Sequence, residues 1–124
     1  MAGTITKADV KAFVEAAHGR VEIVKQMLAD QPGLLTMPNG NETAMGAACQ
    51  MKHQELVLLF LEAGIPLDIY SACVLGMADK VEEFIAADPA LVNTKNVASH
   101  GKRPLYFASE HPVITALLIA HGAK

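Results

Sequence analysis

Residues 40–64 read GNETAMGAACQMKHQELVLLFLEAG, a run of small residues followed by an aliphatic run that stops at Gly64. The first half, Thr43 to Cys49, is built of residues small enough for one helix to lie close against its neighbours, and Thr43 stands where an N-cap hydroxyl is preferred. In the second half Leu56, Val57, Leu59, Phe60 and Leu61 follow helical spacing, with Gln54, Glu55 and Glu62 left for the polar side. Gly64 falls where a helix ends in a left-handed residue. The stretch predicts a helical hairpin.

Three other stretches follow the same plan. Thr6 with Asp9 makes a capping-box signal for a helix running to His18, and a second helix over 20–30 buries Val21, Ile23, Val24, Met27 and Leu28 before Asp30-Gln31-Pro32-Gly33 stops it. Pro38-Asn39-Gly40-Asn41 predicts a tight projecting turn, a finger, ahead of the helix at Thr43. After Gly64 only Ile65-Pro66-Leu67 precedes a helix expected over 68–77, so a finger is missing there. That helix pairs with one carrying Val81, Phe84, Ile85 and Ala86, whose ending, IAADPALV, echoes LADQPGLL after the first hairpin. A longer polar connection, 93–103, leads to a helix opened by Pro104, and the last hairpin closes with Val113 to Gly122.

The composition agrees with stacked helices. The 124 residues suit one domain; 52% are apolar, but only 5% are aromatic and none is Trp, so the core must be aliphatic and alanine-rich, which favours an all-α fold over a β-sandwich. No window approaches ~18 uninterrupted apolar residues, so no membrane span is expected. The start, Met1 to Lys7, holds no hydrophobic leader run, and a cytoplasmic location is the expectation. Two cysteines do not make a disulfide scaffold. Cys49 and Cys73 occupy equivalent positions in adjacent hairpins, at a neighbouring-helix spacing of about 8–10 Å, against the ~7 Å a disulfide tolerates. Both are expected to be reduced, small core residues.

The formal charge of −3 is unevenly spread: residues 42–90 carry eight acids and two bases, and residues 91–124 carry four bases and one acid. That basic third is too weak for a nucleic-acid-binding domain. His18, His53, His100, His111 and His121 are scattered, and none lies in an HExxH, CxxC or GxSxG context. No GxGxxG or GxxxxGK phosphate loop is present either. No catalytic residue, metal ligand or cofactor is therefore assigned.

Leu28, Leu61, Ile85 and Ile119 end equivalent second helices at spacings of 33, 24 and 34 residues. The text at 43–64, TAMGAACQMKHQELVLLFLEAG, and at 103–123, RPLYFASEHPVITALLIAHGA, resembles the TPLH-x-AA, VV-x-LLL and GA signature of ankyrin repeats. The resemblance implies a single domain, 1–124, of four degenerate repeats at about 5–35, 36–66, 67–92 and 93–124. They would stack as a solenoid of helical hairpins with fingers to one side. The sequence departs from the pattern where the family's His is Gly46 in the second repeat and Tyr106 in the fourth, and where Arg103 replaces the Thr retained at Thr43.

The resemblance also implies where function resides: on the concave side made by the fingers and the exposed ends of the first helices. Those ends would be Ala17 with His18, Gln50 with Met51, Val74 with Leu75, and Ser109 with Glu110. Met51, Val74 and Leu75 would meet an apolar or amphipathic partner segment, joined by Gln50, with Asn39, Asn41 and Glu42 on one finger and His100, Lys102 and Arg103 on the other. An equally open reading is that Val74 and Leu75 only cover the gap left by the missing finger. The last helix, 112–120, has Thr115 as its one polar side chain although a terminal repeat needs a solvated outer face. Either the array continues or two copies pair through this helix as a homodimer. The expected function is non-enzymatic protein binding. The alternative is a dedicated regulatory or inhibitory subunit of an enzyme.

Overall fold

Capping residues set where the helices begin. Thr6 starts α1 (Lys7–Ala16): its hydroxyl accepts from the Asp9 N–H at 3.1 Å, and the Asp9 carboxylate accepts from the Thr6 N–H at 2.9 Å. This reciprocal capping box satisfies two helix-end donors. The bond from the Thr6 backbone, more than that from its side chain, holds the Asp9 carboxyl below its ordinary value of 3.8. A depressed folded value makes the cap's contribution full above the ordinary carboxyl range and lost as pH falls through the lower folded value. Asp9→Asn is therefore expected to flatten the acid limb of the stability–pH curve without reshaping its neutral limb, as read by thermal unfolding followed by circular dichroism.

The computed structural model describes residues 4–124; residues 1–3, part of the N-terminal stretch read for a leader, lie outside them. After α1 come α2 (Val21–Asp30), α3 (Ala44–Gln50), α4 (Gln54–Glu62), α5 (Ile69–Leu75), α6 (Ala78–Ala87), α7 (Pro104–Phe107) and α8 (Pro112–Ala120). Among the described residues there is no strand; isolated bridges Asn39–Glu42 and Asn96–Lys102 close the two projecting turns. No described helix is long and apolar enough to cross a membrane. The fold is all-α, as its aromatic-poor composition predicts.

Local chemistry accounts for most boundaries. Thr43 caps α3 through Gly46 N–H at 2.9 Å, Asp68 caps α5 through Ser71 N–H at 2.8 Å, and Pro104 occupies the first turn of α7. The echoing segments after α2 and α6 fold alike, as 3-10 turns over Pro32–Thr36 and Pro89–Asn93. Two expected helices are shorter than the pattern suggested. The first ends at Ala16 instead of His18, and the one expected over 68–77 breaks at Gly76, whose φ of 74° is the left-handed cap that glycine supplies without strain.

The helices pair in chain order, α1 with α2, α3 with α4, α5 with α6 and α7 with α8, and the first helices contact in series, α1 to α3, α3 to α5 and α5 to α7. This explains the small residues of α3. It is touched by α1, α4, α5 and the 97–99 turn, so Ala44 to Cys49 are all buried. Phe13, Phe60, Leu56, Phe107, Ile114 and Leu118 fill the space between hairpins, with Phe13 and Phe60 edge to face at 6.1 Å between centroids. On α8, Ile114 and Leu118 face inward while Val113 and Ile119 are 73% and 57% exposed.

The missing finger reorganises the stack. With only the six residues 63–68 between α4 and α5, the long turn before α7 packs onto α3. Ser99, in the 3-10 turn Val97–Ser99, is buried and donates from its hydroxyl to the Gly46 carbonyl at 2.7 Å. The approach is so close that a Cβ on Gly46 would lie 2.0 Å from the Ala98 carbonyl oxygen. A residue bearing any side chain would hold the turn off the helix.

Candidate functional site

Because the second turn leans onto α3, it stands beside the first one. Asn39, Asn41 and Glu42 from the first turn and Lys95, Val97, His100 and Gly101 from the second line an open groove of about 540 Å³. At its floor Glu42 Oε2 lies 3.0 Å from His18 Nε2 and 3.2 Å from His100 Nε2, so one carboxylate oxygen sits between two imidazoles. The Glu42 side chain is 15% exposed. His18 is held in turn by its Nδ1, 3.1 Å from the Glu15 carbonyl at the end of α1. Three separate segments of the chain thus meet at this carboxylate.

Next to the groove runs a strip formed by the end of α3 and the face of α7. The Tyr106 hydroxyl donates to the Gln50 carbonyl, satisfying one of the acceptors orphaned at a helix C-terminus. Lys52 Nζ lies 4.4 Å and Lys102 Nζ 5.2 Å from the centroid of the Tyr106 ring, both within cation–π range. Met51, between Gln50 and Lys52, is 54% exposed. Lys52 and His100, at φ of 53° and 56°, are the two non-glycine residues with left-handed backbone among the described residues. Such conformations cost a non-glycine residue roughly 1 kcal/mol or more, and both are retained on this side of the molecule.

Two unsatisfied polar atoms belong to residues that adjoin this strip in the chain. Among the described residues, Gln50 Oε1 and Arg103 Nε are the buried side-chain polar atoms without a hydrogen-bond partner. Native structures leave few such groups, because each forfeits about 1–3 kcal/mol. Gln50 ends α3 and Arg103 is the N-cap residue of α7, where its side chain makes no capping bond.

The residues selected from the sequence divide accordingly. Asn39, Asn41, Glu42 and His100 line the groove, while Gln50, Met51, Lys102 and Arg103 belong to the strip beside it. Val74 does not belong: only 2% exposed, it is a core residue, and Leu75 is half-buried. The Val74 carbonyl accepts from Gln54 Nε2 at 3.2 Å and His111 Nε2 at 2.9 Å, so flanking hairpins close over the end of α5. Ala17, expected to be exposed beside His18, is buried as well. The apolar run expected across the middle of the face is therefore reduced to Met51 and part of Leu75.

Lys52, Lys95, Val97 and Tyr106 also belong to this surface, and no sequence motif marks them. Lys52 takes the left-handed backbone, φ 53°, that glycine supplies at position 76, so nothing in its own chemistry marked it. His53 itself is structural: its Nδ1 accepts from the Leu56 N–H at 3.3 Å and caps α4.

No group of three or more His, Cys, Asp or Glu side chains among the described residues is arranged to hold a metal ion. Cys49 and Cys73 are buried free thiols. Burial, with a smaller contribution from the Asp68 carboxylate, pushes Cys73 up to about 12, and burial drives Cys49 upward likewise. Neither thiol has the lowered value or the exposure of a nucleophile. Comparisons of the chain with protein-family models, with curated proteins and with solved structures find no match.

Proposed function

We propose that this chain is a non-enzymatic interaction module of ankyrin-repeat type. Its partner protein lies against the surface running from the turn at 39–42, across Met51, to Tyr106 and Lys102. The ankyrin reading is supported by hairpins that pair in chain order, by first helices in serial contact and by two projecting turns on the same side. The binding reading is carried by one convergence. Strained Lys52, Lys102 and the Gln50 end of α3 meet around Tyr106, with exposed Met51 between Gln50 and Lys52 in the chain. Strain is retained where a bound partner relieves it or uses it.

Site-specific photo-crosslinking in the native host tests this reading. A photoreactive residue in place of Met51 is expected to give one discrete protein adduct that the same residue at Val113, on the exposed side of α8, does not give. Adding Met51→Glu to a separately tagged copy is expected to weaken capture of that partner at least about tenfold, since a charge at an apolar anchor costs more than 1 kcal/mol. No adduct from position 51, or equal adducts from both positions, would count against the proposal.

A further inference from the structure

We infer that the partner segment seated on this surface is acidic, with carboxylates placed between Lys52 and Lys102 and an apolar residue set on Met51. The inference rests on the binding face proposed above and adds to it the chemistry of the occupant.

The chain as a whole carries a formal charge of −3, yet this surface is locally basic. Lys52, Lys95 and Lys102 stand here with no carboxylate within ion-pair distance among the described residues. The one carboxylate in the groove, Glu42, is bracketed by His18 and His100 and mostly covered. With 15% of its side chain exposed, it presents little surface to an incoming anion.

Two ammonium groups share one tyrosine ring, at 4.4 Å and 5.2 Å from its centroid. Each is attracted by the ring and repelled by the other, and a carboxylate between them is attracted by both. The ring also orders the two lysine side chains before binding, which lowers the entropy cost of fixing them in a complex. Lys52 occupies a left-handed position where glycine would remove the strain, so an ammonium stands over Tyr106 at the expense of local backbone energy. Met51 precedes it in the chain and supplies the apolar contact beside the charges. Asn39 and Asn41, exposed on the neighbouring turn, offer amides to the backbone of an extended segment.

The test uses three probes on the full chain, measured by fluorescence anisotropy. One is a short synthetic peptide with a central leucine flanked by glutamates, the second is the same peptide with every glutamate replaced by glutamine, and the third is a single-stranded oligothymidylate. The acidic peptide is expected to bind at least about tenfold more tightly than its glutamine counterpart at low salt and to lose that advantage as salt is raised. Lys52→Gln with Lys102→Gln is expected to erase the difference between the peptides while thermal unfolding stays within a few degrees of wild type, because neither side chain is in the core. Equal binding of both peptides to the wild-type chain would overturn the inference. If Met51→Glu still weakened both peptides, the binding face itself would survive that result. Tighter binding of the oligothymidylate than of the acidic peptide would also overturn it, assigning the lysines to nucleic acid.

Discussion

Gly46→Ala is expected to destabilise the protein by about 3 kcal/mol, although a glycine inside a helix ordinarily gains about 1 kcal/mol on replacement by alanine. The reversal of sign comes from a contact distant in sequence. The added Cβ would lie 2.0 Å from the Ala98 carbonyl oxygen and 2.5 Å from the carbonyl carbon, both backbone atoms that no rotamer change can move. Relief requires the 97–99 turn to withdraw, which breaks the buried bond from the Ser99 hydroxyl to the Gly46 carbonyl. Overpacking contributes about 1–3 kcal/mol and an unsatisfied buried acceptor about 1–3 kcal/mol, against the ~1 kcal/mol gained in helix propensity. Urea unfolding should show the lowered midpoint. Ala98→Gly is not expected to rescue it, because it removes only the 2.8 Å contact to the Ala98 side chain.

Phe107→Ala carries the other large effect, an expected loss of about 3–5 kcal/mol as for other fully buried phenylalanines. The helix that contains it, α7, has four residues, too few to be stable alone, and is held by the burial of Pro104, Phe107 and Ala108. Phe107 lies 5.2 Å from Tyr70 and 5.1 Å from Tyr106, the latter edge to face. Those are both tyrosines of a chain without tryptophan, so the near-ultraviolet tyrosine signal reports this cluster directly. Phe107→Ala should collapse that signal ahead of the far-ultraviolet helix signal. Phe107→Leu, which conserves more of the volume, should cost under ~1.5 kcal/mol and keep most of it. Since Tyr106 also joins Gln50 and the two lysines, loss of Phe107 should loosen the proposed binding surface with the core.

What was legible in the sequence was local. Thr6, Thr43 and Pro104 act through neighbours within a turn, and the aliphatic spacing of 56–61 needs only one helix to be read. The missing finger was also legible, as a spacing of 24 residues where its neighbours show 33 and 34. Its structural consequence was not. Ser99 meets Gly46 across 53 residues and His111 meets Val74 across 37, and no periodic pattern carries such pairings. Hence Gly46 stands out in the sequence as a departure from the pattern without its reason, and Val74 reads as a surface position although His111 and Gln54 close over the end of its helix. Charge ran the same way: the basic C-terminal third was countable, but only the fold sets Lys102 beside Lys52 on one ring.

The arrangement of the whole surface depends on the second turn closing onto α3 where a finger is absent. Nuclear Overhauser spectroscopy on the labelled protein measures that contact directly. Strong cross-peaks are expected between the Gly46 α-protons and the Ala98 methyl, with the amides of the turn's hydrogen-bonded residues, Ser99 and Gly101, protected from exchange. No cross-peak between Gly46 and Ala98, together with freely exchanging amides at 99–101, would place the turn in solvent and contradict both the groove and the binding surface built on it.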